Sequence, residues 1–282
     1  MKKKFVSVLI ILLLSFVLFA KEKEAPAKES KPEKKSGGSW FGEPEKAIIE
    51  LGVGFFYHKF YFETKDHDED IGDAGHIYFI DDLGLDKKDL HFTANFALRL
   101  GSTKLSVGYT MLDMEQTEVL DRNIVFFDEA FGTGDKVKTT FNMHLITLDF
   151  CWYILDLDLG SNFSFRLGPA IRLDGFITDI KVKDAFTKKG DKFDIPIVPF
   201  PSIGLSFETT LFKYSGLFVD ITGMYAGKYL GYMNLKSGVR VYPWHWTGFE
   251  FSYRHIISEV RWKKDLVRSN FQGFNMELVL RF

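Results

Sequence analysis

The sequence predicts an all-β fold, a transmembrane antiparallel up-and-down β-barrel of about ten strands. Three observations predict it. Apolar and polar residues alternate with a period of two through most of the chain. The polar partners in that alternation are small or oppositely charged. The segments between the alternating stretches are by turns long and short.

The chain has 282 residues, 46% of them hydrophobic and 16% aromatic, with 30 Phe. That suffices for one mid-sized barrel. A formal net charge of -2 leaves no basic excess for a nucleic-acid partner. The single cysteine, Cys151, excludes an intrachain disulfide and a Cys-rich zinc site.

Residues 1–20 have the order of a signal peptide. Lys2, Lys3 and Lys4 precede an apolar run from Phe5 to Phe19, and Ala20 offers the small residue that cleavage needs. An uncleaved inner-membrane anchor is the other reading of this run. Residues 21–46 mix Lys and Glu with Ala, Pro, Ser and Gly, a composition that cannot bury a core and predicts a disordered periplasmic linker. No later run approaches the ~18 consecutive apolar residues of a spanning helix.

Residues 47–282 carry the strands. Leu90, Phe92, Ala94, Phe96, Leu98 and Leu100 share one face, with His91, Thr93, Asn95, Ala97 and Arg99 on the other, because successive strand side chains point to opposite sides. Ile49 to Tyr57 and Leu105 to Met111 repeat the pattern, as do Phe163 to Leu173, Ile203 to Phe207, Leu217 to Tyr225, Met233 to Val241 and Phe249 to Tyr253. Between Val137 and Leu155 the phase shifts: Phe141, Met143 and Leu145 are odd, while Leu148, Phe150 and Trp152 are even. One extra residue re-aims the faces of a strand, so a β-bulge near Leu145 and Ile146 is expected.

The connections expected to be long are 63–89, 115–136, 174–194 and 259–270. Those expected to be short are 101–103, 156–160, 213–216 and 243–247. The short connection near 227–231 departs from the alternation.

The polar face distinguishes a membrane barrel from a soluble sandwich. It carries Glu50, Arg99, Asp149, Arg166, Glu208, Asp220, Arg240, Glu250, Glu277 and Arg281 among Gly and Ser. This is the expected lumen charge network, since a narrow interior has to be filled and its charges paired. The opposite face is almost free of charge, as lipid demands, because Arg or Lys at the midplane costs ~2–4 kcal/mol. Trp152, Trp244, Trp246 and Phe282 fall near strand ends, where aromatic residues sit at headgroup level.

Phe274, Met276, Leu278, Leu280 and Phe282 resemble the C-terminal signature of bacterial outer-membrane β-barrel proteins. The run from Ile80 to Asp86 resembles a segment of small, uncharacterised members of that class. The resemblance implies the cell envelope of a Gram-negative bacterium, export, and assembly by the barrel-assembly machinery. It also implies lipid and lipopolysaccharide as surroundings. It carries no activity.

The residues that such barrels use as enzymes are matched only in part. Lipid A deacylases and outer-membrane phospholipases carry His-x-Ser, in which histidine takes the proton of the attacking serine. The nearest match is His91-Phe92-Thr93, where threonine is the poorer nucleophile. Outer-membrane proteases hold acids on opposed rigid strands. The acids Asp66, Asp68, Glu69, Asp70, Asp81 and Asp82 crowd one connection and lack that preorganisation. Their spacing also fails the EF-hand pattern. His67, His76, His144, His245 and His255 lack metal-ligand spacing. The expectation is a non-enzymatic protein without cofactor, metal or catalytic residues, whose external loops bind a ligand that the sequence does not name or serve as surface structure. A narrow porin-like channel for small solutes is the alternative, suggested by Gly52, Gly54, Gly108, Gly168, Gly204 and Gly238. A lipid-modifying enzyme or protease is the second.

Overall fold

The structure, a computed structural model, describes residues 48–65, 76–85, 90–126, 129–159, 163–187, 189–211, 214–227, 229–244, 246–262 and 265–282. The expected signal peptide and linker lie outside the described residues.

Ten strands run in chain order: β1 (Ile48–Lys65), β2 (Leu90–Leu100), β3 (Thr103–Val119), β4 (Lys136–Trp152), β5 (Phe163–Asp184), β6 (Gly190–Leu211), β7 (Ser215–Ala226), β8 (Leu230–Trp244), β9 (Thr247–Trp262) and β10 (Asp265–Arg281). Each pairs antiparallel with the next, and β10 pairs with β1. The sheet has 12 strands. Setting aside the short strands His76–Tyr78 and Leu155–Asp158, which flank β1 and β5, leaves the closed ring of ten. Closure matters because lipid offers no partner to an open sheet edge. It is completed at Phe282, whose N–H donates to Ile49 O at 2.8 Å while Ile49 N–H donates back at 3.0 Å. This end is the base of the barrel.

The wall is tall. β5 and β6 have 22 residues each. At about 3.4 Å per residue and a tilt near 45° they rise roughly 50 Å, about twice the ~25 Å apolar band of a membrane barrel. What changes along that height is polarity. In the basal half the outward side chains are apolar and exposed: Leu51, Val53, Phe55 and Tyr57 on β1, and Phe274, Met276 and Leu278 on β10. The inward ones there are polar and buried, such as Glu50, Arg99 and Glu277. In the far half the assignment reverses. Lys59, Asp113, Glu115 and Lys138 are exposed on the outside, while Phe60, Phe62, Phe141, Phe176, Ile256 and Phe271 are buried inside. These inward residues form one hydrophobic core.

That core is sealed by chain from two far connections. After His76–Tyr78 pairs with β1, a turn carries Phe79, Leu83 and Leu85 into the core, each at most 1% exposed. Between β3 and β4 a small hairpin, Ile124–Phe126 with Glu129–Phe131, adds Ile124, Phe126 and Phe131. Aromatic packing fixes the centre: Phe60 lies 4.7 Å from Phe141 and 4.8 Å from Phe271, and Phe62 meets Phe79 edge-on at 4.9 Å. Such pairs add ~0.5–1.5 kcal/mol beyond area burial.

The reversal corrects two expectations. β4 has no bulge: it pairs one-to-one with β3 from Lys136 to Trp152 and with β5 from Val137 to Cys151. Phe141, Met143 and Leu145 are odd because they point into the apolar far lumen, and Leu148, Phe150 and Trp152 are even because they point out at the basal level. Segments 174–194 and 259–270 are not long loops but mostly paired strand, β5 with β6 and β9 with β10. Their polar residues suggested loops, yet they belong to a wall whose outside is polar.

Of the glycines proposed to line a channel, Gly52 and Gly108 border the basal lumen, whereas Gly54, Gly168, Gly204 and Gly238 lie against neighbouring backbone. At Gly54 a Cβ would stand 2.0 Å from Met276 O, and at Gly204 1.8 Å from Ile221 O. Glycine there lets neighbouring backbones approach and the sheet coil.

Phe141→Ala is expected to destabilise the folded barrel by about 3–5 kcal/mol through the cavity it leaves. Phe92→Ala, on the apolar outside at the basal level, should change stability far less. Urea titration followed by heat-modifiable electrophoresis measures both, and equal losses would contradict a core in the far lumen.

Candidate functional site

The basal lumen gathers the charged side chains of nearly every strand. Glu208 on β6 is its hub. Arg99 of β2 donates two hydrogen bonds to it, at 2.6 and 3.0 Å, and Lys104 of β3 donates a third at 2.7 Å. Arg240 of β8 stands 3.5 Å away. The two bonds from one guanidinium fix angle as well as distance. Arg99 also donates to Glu50 at 3.3 Å, and Glu50 takes in Tyr242 Oη at 3.3 Å and Arg281 at 3.7 Å. Arg240 bridges onward to Glu250 at 2.6 Å, which Lys236 meets from its other side at 2.6 Å.

The remaining predicted residues join at the edges. The Asn95 amide nitrogen donates to both carboxylate oxygens of Glu277 at 2.9 Å, and the Asn275 amide nitrogen donates to one of them. Asp149 pairs with Arg172 at 3.1 Å, Asp220 accepts from Ser206 at 2.5 Å, and Arg166 pairs with Asp156 at 2.8 Å. Arg166 and Asp156 form a peripheral pair towards the base. Above them Asp174 is fully buried and held by Thr147, Tyr232, Asn234 and Arg254.

Tyr232 and Tyr242 escaped the sequence reading. Both share parity with Arg240 and Asn234 on β8, so counting by twos along that strand places them inside. A phenol that reaches a carboxylate is a polar lumen residue despite its apolar ring.

The network fills the space it occupies. A cavity of about 80 Å³ remains among these residues, room for about five to eight waters at ~10–15 Å³ each. Above it begins the aromatic core. Among the described residues, charge pairing below and hydrophobic packing above together close the lumen.

At the far rim a latch joins the two sealing connections. Arg122 donates to both oxygens of Asp82, at 2.6 and 2.5 Å, and to the carbonyl of His76 at 2.5 Å. Outside, beyond the apolar band, Glu63 accepts from Tyr61 at 2.9 Å, meets His76 at 2.7 Å and stands 3.5 Å from Arg268. Burial works to raise the Glu63 carboxyl, but the His76 and Tyr61 hydrogen bonds and the Arg268 charge outweigh it and hold it below its ordinary range. Burial and that carboxylate push Tyr61 up to about 12.

The catalytic candidates find other roles. His91 and Thr93 both face the lumen: the His91 ring lies 4.6 Å from that of His58, and Thr93 Oγ1 donates to Tyr109 O at 3.2 Å. Asp82 belongs to the latch, and Asp81 is exposed. His144 bonds Tyr109 and His255 bonds Asn270, each outside the lumen. Asp66, Asp68, Glu69, Asp70, His67 and His245 lie outside the described residues.

No protein family model matches the chain, and no curated protein matches it. Solved structures do. It is similar to the outer membrane protease OmpT from Escherichia coli, with 9% identity over 83% of this chain and 97% of that one, at a TM-score of 0.45. It is also similar to Neisserial surface protein A (10% identity, 84% and 100%, TM-score 0.35) and to the toluene transporter TodX of P. putida (7%, 88% and 92%, 0.27). These likenesses carry no activity to this chain.

Glu208→Gln leaves cations of three strands facing a neutral group, and a broken buried pair costs about 3–5 kcal/mol. The same urea titration should show that loss, while Glu115→Gln, which breaks an exposed pair with Lys138, should stay within about 1 kcal/mol. The outer cluster adds a pH dependence. A carboxyl lowered by folding stabilises above its unfolded pKa, near 4.3, and that contribution is lost as pH falls through the folded value. The stability difference between wild type and Glu63→Gln should therefore shrink from pH 6 to pH 3. A difference constant across that range would contradict the assignment.

Proposed function

We propose that the chain is an integral outer-membrane barrel that neither conducts nor catalyses and that holds its far half beyond the bilayer as a binding surface. The polarity reversal carries this reading. A wall that is apolar outside over one half and polar outside over the other fits a barrel standing in lipid at its base and in water above. The lumen fits a structural role, because each level is closed by its own chemistry.

The orientation belongs to the same proposal. The base, with exposed Trp152, Trp244 and Trp246, lies at the periplasmic interface, and the far rim faces outward. Export by residues 1–20 and delivery to the barrel-assembly machinery by the strand ending in Phe282 complete it. Lipid and lipopolysaccharide surround the wall, and the external ligand binds the far half. Loops and rims held by a rigid scaffold are where binding residues concentrate.

Purified protein in a planar bilayer should give no conductance above background. Steady channel openings would overturn the sealed-lumen reading and favour the small-solute channel. For orientation, Phe186→Cys at the far rim, where Phe186 is 78% exposed, should react with a membrane-impermeant maleimide on intact cells. Trp246→Cys at the base should react only after lysis, and the reverse order would invert the topology.

A further inference from the structure

The wall splits on one side. β6 and β7 pair from Thr210 opposite Gly216 up to Ile203 opposite Gly223. Beyond that point β6 continues to Gly190 with β5, and β7 continues to Ala226 with β8. Along residues 190–202 no described strand pairs with β6 on its β7 side. This stretch holds Pro196, Pro199 and Pro201, three of the chain's 8 prolines. Proline has no N–H to donate, so it blunts a free edge against strand addition. The split is therefore kept from acquiring another strand.

Its surfaces are apolar. Inside, Phe200 stacks on Tyr232 at 4.9 Å and meets Phe176 edge-on at 5.3 Å, and Met224 packs against the hydrophobic core to which they belong. Outside, Ile203 is 73% and Tyr225 81% exposed. Next to Tyr225 the outer wall is hollow, because Gly223 and Gly231 present no side chains. The resulting trough has a volume of about 780 Å³, with Met233 and Ile257 on its apolar stretch and Glu259 and Arg261 at its polar end.

The position selects the occupant. On β6 exposed apolar residues continue upward through Leu205, Ile203, Pro201, Pro199 and Ile197. On β1 they stop at Tyr57, and Lys59 follows. The rim of the split is thus an upward continuation of the lipid-facing band, and the trough's polar end stands where that band gives way to charge.

We propose that the split and its trough dock the acyl chain of a membrane lipid, with the lipid's polar end beside Glu259 and Arg261. The proposal rests on the apolar band being the lipid-facing surface. The full-length protein in vesicles of palmitoyl-oleoyl phosphatidylethanolamine tests it by native mass spectrometry. Wild type should keep one phospholipid under activation that strips all others. Gly231→Trp should lower that occupancy at least about tenfold, since a side chain at Gly231 enters open space and fills the trough. Tyr225→Asp, at an exposed position, should do the same if the tryptophan variant fails to fold. Thr133→Trp, on a distant connection, should leave occupancy unchanged. A wild-type barrel stripped bare, or a folded trough variant that keeps its lipid, overturns the proposal. Flotation with the vesicles tests the lipid-facing band separately, because a barrel that floats but holds no lipid refutes the docking site alone.

Discussion

The wall of this barrel meets two solvents along its height, and that constraint organises the rest. At the base the outside has to be apolar, since no water is there to hydrate a charge, and alternation then sends every second residue inward. At the far end the outside meets water, and a stable wall needs an apolar surface to bury. The inside supplies it. Phe60, Phe141 and Phe271 pack across the far lumen as in a soluble core, while Arg99, Glu208 and Arg240 pair across the basal lumen. The two interiors are complementary answers to one alternating pattern, and the level of Tyr57 and Lys59 on β1 marks where one passes into the other.

The basal interior is the more demanding of the two. Taking charges out of water costs several kcal/mol per ion unless geometry and hydrogen bonds compensate. Here they do so collectively: Glu208 is met by cations from β2, β3 and β8, and Arg99 and Arg240 each serve two carboxylates. A ring of strands that each supply one or two charges cannot be assembled in a shifted register without leaving some of them unpaired. The network thus acts on register as well as on stability, and the far core seals the space above it.

Much of the basal half was legible in the sequence, because period-two alternation against lipid is nearly free of exceptions there. Leu90 to Leu100 and Phe274 to Phe282 read directly as outward faces, and the ten expected charges all point inward. The far half was legible in composition but not in sense. Phe141, Met143 and Leu145 broke the phase only on the assumption that apolar means outward everywhere, and a bulge was the local explanation. The Asp- and Lys-rich stretches of β5, β6, β9 and β10 read as loops for the same reason. Polar residues alternating with apolar ones carry no label for which solvent lies outside. Only pairing across strands supplies it, as when Phe141 falls opposite Met114 and Ile180, each of them buried.

The outside of the wall is not uniform around the ring. Its rim is high at β5–β6 and low at the hairpin of β7 and β8, where Gly227 turns the chain with φ of 59°. A cylindrical sheet can change height only where two neighbours stop pairing, so one tall hairpin beside a short one forces a split such as that above Ile203. The split coincides with three prolines and with the aromatic trio of Phe176, Phe200 and Tyr232. The step in height accounts for the blunted edge, since any unpaired edge invites strand addition, but not for the apolar residues that carry the outer band up its rim. Those residues make this side of the barrel the place where its surface chemistry departs most from what scaffolding alone requires.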